Sequence, residues 1–169
     1  TLALKYNFNL SFDENVLNEV NNLKFDLSEI DKRKAPSCDR IFTIDGATAK
    51  DLDDAIGIKF LDNKNKLLGV YIADVSFYVK ENSFTDLEAL ERGTSVYPVD
   101  RVIPMLPERL SNDLCSLLPN TLKLVMACEM EIDFKGEVVR SEIFPSYIKS
   151  CHRLTYEEIN LLLDGDREV

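Results

Sequence analysis

The sequence predicts an α+β fold: a mixed, hairpin-rich sheet with a few short helices. Three observations carry that prediction. Val125 to Asp133 alternates apolar and acidic residues, the two-residue period of a strand. The polar stretches Asp62–Lys66 and Phe134–Glu137 each join two strand-like runs, as hairpin turns do. Two capping boxes, Thr85-Asp86-Leu87-Glu88 and Thr155-Tyr156-Glu157-Glu158, open short helices between and after those strands.

The elements follow in order. Phe12 to Asn22 reads as a helix, with Val16, Leu17 and Val20 on one face and Asp13 and Glu14 in its first turn. Leu23 to Cys38 is polar and mixed, a second weak helix running into a loop, so the compact fold is expected to start near Arg40. Ile41 to Ile44 is a strand that enters an aspartate-rich loop. Ala55–Leu61 and Leu67–Ala73 form the first hairpin. The helix opened at Thr85 ends at Gly93. Tyr97 to Pro107 contains Pro98, Pro104 and Pro107; fixed φ angles and missing donors make it a stiff, irregular path. Pro107 to Leu110 opens a short helical turn. In the second hairpin, Cys128, Met130 and Ile132 share one face, while Glu129, Glu131 and Asp133 take a wet face, which implies antiparallel pairing with Val138–Lys149. Ile159, Leu162 and Leu163 give the last helix an apolar face up to Asp164-Gly165.

At 169 residues and 45% hydrophobic content, the chain is long enough for one domain with its own core. No run of about 18 apolar residues exists, which excludes a membrane-spanning helix and predicts no membrane partner. Thr1 to Lys5 lacks the basic-then-apolar order of a signal peptide, so a cytoplasmic, reducing setting is the expectation. The first residue is not Met, as in a piece of a longer chain. Cys38, Cys115, Cys128 and Cys151 form no C-x-x-C pair, and His152 is the one histidine, so zinc spacing is absent. Cys115 and Cys128 lie in apolar segments and read as small core residues. The net charge of −10 suits nucleic acid poorly. If the ligand is RNA, most of the electrostatic attraction comes from elsewhere in a larger protein.

One feature of the sequence points to chemistry. Asp45, Asp51, Asp53 and Asp54 fall within ten residues, between the apolar runs Ile41-Phe42 with Ile44 and Ala55-Ile56 with Ile58. Core-forming segments on both sides imply that the charge is held in a fold. Carboxylates this close repel and raise one another's pKa values. Hard divalent cations relieve that repulsion, and oxygen-only ligands suit Mg²⁺ or Mn²⁺. Mg²⁺ held by carboxylates, with water and phosphate oxygens around it, is common apparatus for phosphoryl transfer. Three other readings stand beside this one: a solvated acidic loop, a calcium hand, and a phosphatase pair at Asp51 and Asp53. The calcium hand fails on spacing: counted from Asp51, Ile56 stands where Gly is needed and Asp62 where Glu is. The phosphatase needs a parallel sheet, which the hairpins do not suit.

Four blocks together resemble the catalytic domain of the ribonuclease II superfamily. They are Thr43-Ile44-Asp45-Gly46 with Asp51-Leu52-Asp53-Asp54-Ala55; Tyr71-Ile72-Ala73-Asp74-Val75-Ser76; Ser95-Val96-Tyr97-Pro98 through Ile103–Glu108 to Leu110–Leu117; and Arg153-Leu154-Thr155-Tyr156. Their order and spacing match from about Arg33 to Gly165, and the wording is closest to the bacterial ribonuclease R branch. The resemblance implies a processive 3′→5′ exoribonuclease that hydrolyses single-stranded RNA to nucleoside 5′-monophosphates with Mg²⁺ (Mn²⁺ as the alternative). It implies Asp45 and Asp54 as direct metal ligands and Asp51 as completing the metal site. It assigns Asp53 to the attacking water and a second metal. It also implies Tyr97 and Tyr156 as platforms for RNA bases.

Arg101 and Arg109 flank the third block and are expected to meet phosphates; His152 has no catalytic partner. Tyr71 and Phe77 stand where the family often has His. The family's catalytic domain is about twice as long. Residues 1–39 then read as a helical linker and 40–169 as the N-terminal half of that domain. The later half, an arginine it carries and flanking small β-barrels become expected partners, with exposed apolar surface where the later half packs. The 169 residues alone are expected to bind Mg²⁺ weakly and to show little ribonuclease activity. The alternative is a catalytically silent RNA-binding or regulatory relative, against which the four intact aspartates argue.

Overall fold

The computed structural model describes residues 9–99 and 101–165. The expected strands form: β1 (Ile41–Asp45), β2 (Asp54–Phe60), β3 (Lys66–Ala73), β4 (Leu122–Ile132) and β5 (Val138–Lys149), joined by a short sixth, β6 (His152–Thr155). They make one sheet in the order β5-β4-β3-β2-β1-β6. Neighbours are antiparallel except β1 and β6, which run parallel with Thr43 beside Arg153 and Asp45 beside Thr155. The helices are α1 (Glu14–Asn22), α2 (Val75–Tyr78), α3 (Phe84–Arg92) and α4 (Tyr156–Leu163), with a 3₁₀ segment over Leu27–Lys32 and a π-helix over Arg109–Leu114. The architecture is α+β as expected. No helix among the described residues is long and apolar enough to cross a membrane.

One face of the sheet carries the core. Registered neighbours Ala55, Tyr71, Ala127 and Phe144 point the same way across four strands, joined by Ile41, Ala73, Val125 and Ile148. Val20 of α1, Tyr78 of α2 and Leu110 and Leu114 of the π-helix cover them. Gly57 and Gly69 face each other in β2 and β3 and clear the space this layer needs. A Cβ on Gly69 would stand 2.4 Å from the Tyr71 hydroxyl, and one on Gly57 would stand 2.8 Å from the Arg40 carbonyl oxygen. The opposite face is apolar and open. Ile58, Phe60, Ile72 and Ile143 are between 46% and 78% exposed there.

The structure corrects several readings. Glu129 and Glu131 were expected on a wet face, yet each is only 6% exposed, on the covered face. The segment before β1 folds over them. Ser37 donates its N–H and hydroxyl to Glu129 at 2.7 and 2.6 Å, and Tyr71 donates its hydroxyl at 3.0 Å. Asn63, Asn65 and Arg140 donate to Glu131. Those bonds, from Asn65 first and then Asn63, hold the Glu131 carboxyl below its usual range. Cys128 sits half-buried on the open face, whereas Cys115 is in the core.

The second correction concerns the helix expected to be capped by Thr85. It is capped two residues earlier, where Ser83 accepts from the Asp86 N–H and Asp86 accepts from the Asn82 N–H. Thr85 is buried instead. Third, the weak helix over 23–38 reduces to the 3₁₀ segment, capped by Asp26. Last, Leu17 is 40% exposed, and Val16 and Val20 are the buried side chains of α1.

The residues before Arg40 are tied to the sheet. Arg33 and Asp74, both nearly fully buried, form a 2.7 Å ion pair, and Arg33 also donates to the Val125 and Ser146 carbonyls. Removing one partner of such a pair strands the other charge, so its integrity matters more than its net worth.

The Gly57–Gly69 gap predicts a sharp intolerance. Gly69→Ala forces a methyl into the Tyr71 ring, which the Glu129 bond holds in place. A loss of about 1–3 kcal/mol is expected, read as a lower urea midpoint. An unchanged midpoint would show that the ring can yield.

Candidate active site

The aspartate loop hangs between β1 and β2 at one end of the sheet. Asp45 closes β1 and Asp54 opens β2, so strand geometry fixes both ends. Between them, Ala47, Thr48 and Lys50 are exposed, while Leu52 is fully buried and anchors the loop. Leu52 exchanges backbone bonds with the segment after the π-helix: the Leu117 N–H donates to its carbonyl at 2.9 Å, and its own N–H donates to the Ser116 hydroxyl at 3.2 Å. The Asp53 carbonyl accepts from the Ala73 N–H at 2.9 Å. Flanked by two anchored backbones, Asp51 and Asp53 project on either side of Leu52.

The Pro-punctuated stretch is a loop closed at its base. Val96 and Ile103 exchange both backbone bonds, at 2.9 and 2.8 Å, and the Met105 N–H donates to the Ser95 hydroxyl. This places Tyr97, 65% exposed, above the acids, where its hydroxyl donates to Asp51 at 3.3 Å. Two hollows meet at this Tyr97–Asp51 contact. One is lined by Asp53, Leu106 and Cys115, the other by Gly46, Lys50, Glu108 and Asn112.

The electrostatics are one-sided. Among the described residues, none of the four aspartates has a Lys or Arg partner at ion-pair distance. Oδ2 of Asp45 is buried without a hydrogen-bond partner, and so is Oγ1 of Thr43. Burial raises the Asp45 carboxyl, as do the charges of Asp54 and Asp51. The nearby Thr43 hydroxyl and Arg153 lower it in part, although Thr43 and Asp45 do not meet in bonding geometry. The Asp53 residue is exposed, yet the walls of the hollow partly desolvate its carboxyl and raise it, as do Asp51, Asp54 and Asp45. Beside it the Cys115 thiol is pushed up to about 12 by burial and then by Asp53, so it stays protonated and inert.

An oxygen-only set with a buried, unpartnered carboxylate oxygen fits a hard divalent cation. Asp45, Asp51, Asp53 and Asp54 are the groups present to hold one. Their side chains stand open: among the described residues no three acidic, Cys or His side chains close into a single ligand group. Mutual repulsion favours that splay.

The remaining expected residues divide. Arg101 is exposed on the Tyr97 loop. Tyr156, 58% exposed, begins α4 directly after Thr155, which registers with Asp45. Arg109 was expected to meet phosphates, but its guanidinium donates to the Val20 and Leu23 carbonyls and ties the π-helix to α1. Ser116 and Glu108 were not singled out as site residues, although both lie inside the third sequence block.

A mixed sheet that ends in a tethered loop of uncompensated carboxylates, overhung by an exposed tyrosine, defines an acid-centred α+β domain. The chain belongs to the RNB domain family, whose profile matches residues 29–169. It is 58% identical over 125 residues to ribonuclease R 1 of Lactococcus lactis, covering 74% of this chain and 15% of that protein. It is 52% identical over 155 residues to ribonuclease R of Thermotoga maritima, covering 90% of this chain and 22% of that protein. The structure of Mycoplasma genitalium RNase R in complex with ribose-methylated single-stranded RNA superposes with a TM-score of 0.92 at 36% identity, over 99% of this chain and 26% of that one. The chain therefore spans well under a third of the length of each of these relatives.

The raised carboxyls carry a stability consequence. An acid whose folded pKa lies above its unfolded value opposes folding at higher pH, and the opposition fades as pH falls through the folded value. In EDTA at neutral pH, Asp53→Asn is therefore expected to raise Tm. That gain should shrink as pH falls toward about 4, the ordinary carboxyl range. A Tm lowered by the substitution would contradict the repulsion.

Proposed function

We propose that the chain supplies residues 40–169 as the N-terminal half of a metal-dependent, processive 3′→5′ exoribonuclease unit acting on single-stranded RNA and releasing nucleoside 5′-monophosphates. The supporting observation is the set of four acids carried on one short, tethered loop with no cationic partner among the described residues, in a chain so similar to ribonucleases R. When bound, Mg²⁺ would supply Lewis-acid stabilisation of the phosphodiester and a more acidic water.

The chain's own residues do the rest. Asp45 and Asp54, at the fixed strand ends, would hold that cation, with Asp51 as a further ligand once free of the Tyr97 hydroxyl. Asp53, which projects beside Leu52 on the hollow side of the loop, orients the attacking water and takes up its proton. Tyr97 presents an exposed ring to the 3′-terminal base, Tyr156 to a second base, and Arg101 meets a phosphate. Stacking on each ring is worth ~1–3 kcal/mol and is indifferent to sequence, as processive degradation requires. Most of the phosphate attraction and the rest of the channel come from outside these residues, since the chain itself carries −10.

The test is degradation of an end-labelled single-stranded RNA by the full gene-encoded polypeptide, with Mg²⁺ and with EDTA. Mononucleotides should accumulate only with metal. Asp53→Asn should lower the rate by roughly 10²–10⁴-fold, the usual weight of a general base, with RNA still bound. Tyr97→Ala should change the length of the last undegraded product. RNA bound but never shortened by the wild type, with all four aspartates intact, would establish instead the silent RNA-binding relative.

A further inference from the structure

Arg153 lies near Asp45 and pairs with none of the four aspartates among the described residues. Parallel pairing of β6 with β1 puts it next to Thr43 and on the side of Asp45. From there its Nη2 donates to the carbonyls of Gly46, Ala47 and Ala49, at 3.1, 2.9 and 2.9 Å. Two hydrogens thus serve three oxygens of one turn, which is itself closed by the Ala49 N–H donating to Gly46 at 3.0 Å. Little else holds this stretch, since Ala47, Thr48 and Lys50 are exposed. At the far end Ser116, fully buried, donates its hydroxyl to the Lys50 carbonyl at 2.8 Å and accepts the Leu52 N–H.

We propose that Arg153 is the positioning residue of the aspartate loop: it acts through three backbone carbonyls to fix the spacing of Asp45 from Asp51, with Ser116 fixing the other end. The arrangement answers a conflict of charge. A guanidinium paired to a carboxylate would occupy the lone pairs that a cation needs. A guanidinium bound to carbonyls holds the backbone and leaves all four acids free. Its positive charge still reaches Asp45, lowering that carboxyl in part. Without Arg153, three carbonyl oxygens converge with no shared donor, and an exposed loop regains the entropy that its tethers had removed. Lysine does not substitute fully, because its compact ammonium lacks the planar fork.

The inference rests on reading this loop as the cation-binding element, but the clamp can be measured without that reading. The full gene-encoded polypeptide is compared as wild type, Arg153→Met, Arg153→Lys and Ser116→Ala. Backbone hydrogen exchange is followed across residues 46–52 without metal. Arg153→Met should lose protection there while the β3–β4 core keeps its own, with Arg153→Lys intermediate. In parallel, the Mg²⁺ concentration giving half-maximal RNA cleavage should rise about 10- to 100-fold, as for other residues that orient metal ligands, with the KM for RNA unchanged. If Arg153→Met fails to fold, Ser116→Ala is read for the same loss at Lys50–Leu52. Loop protection equal to wild type in the folded variants would overturn the clamp. A wild type that neither binds Mg²⁺ nor shortens RNA would sink the nuclease reading, while exchange would still decide the role of Arg153.

Discussion

Everything at the site depends on keeping like charges close when nothing neutralises them. The fold does so through the backbone. Asp45 and Asp54 belong to paired strands, Leu52 is buried between Asp51 and Asp53, and the Ser116, Leu117 and Ala73 groups bond to main-chain atoms of the loop. The carboxyl groups themselves are left free apart from the contact of Asp51 with the Tyr97 hydroxyl and the influence of Arg153 and Thr43 on Asp45. Repulsion at the acids is thus opposed by bonds that do not use up the acids' own lone pairs. A site that satisfied its carboxylates with lysines would be more stable and chemically dull.

The rest of the covered face supports that arrangement with a chain of bonded polar groups, although the buried hydroxyls of Thr43, Tyr78 and Thr85 have no hydrogen-bond partner among the described residues. Tyr71 needs Gly69 beside it and Glu129 above it; Glu129 needs Ser37; Ser37 belongs to a segment whose neighbour Arg33 is locked to Asp74. Asp74 in turn caps α2 and bonds through its N–H to Leu124. These are buried polar groups with partners, the condition under which they add rigidity rather than cost. They link the segment before β1 to β3, β4 and β5 of the same sheet.

What the sequence made legible follows from what kind of signal each feature leaves. Hairpins with polar turns, the Gly93 stop and the Thr155 capping box are local chemistry, and all were readable. The wet face assigned to Glu129 and Glu131 shows the limit. A two-residue period says which residues share a face, and it is silent on what folds over that face. Ser37, Asn63 and Asn65 are distant in sequence from β4, and they decide its environment. The parallel β1–β6 pair is equally non-local, so the reach of Arg153 into the aspartate loop left no pattern in the sequence. The acids themselves were legible because they crowd one short segment. Thr85 misled because Ser83, two residues earlier, completes an equally good cap.

The open sheet face and α4 bear on how these residues are used. Ile58, Phe60, Ile72 and Ile143 form one apolar surface, and α4 has no buried residue although Leu161, Leu162 and Leu163 are apolar. Surface of this kind is rarely left to water in a finished protein. The open face runs along β2 to Asp54, the acid at its start, so whatever covers the face also borders the site. Covering it would remove water from one side of the acids. The dielectric would then fall where their charges already conflict, and their demand for a cation would grow. Under the proposed reading, cation affinity and completion of the domain would be coupled by the same strand, which is a physical reason to expect weak metal binding from these residues alone.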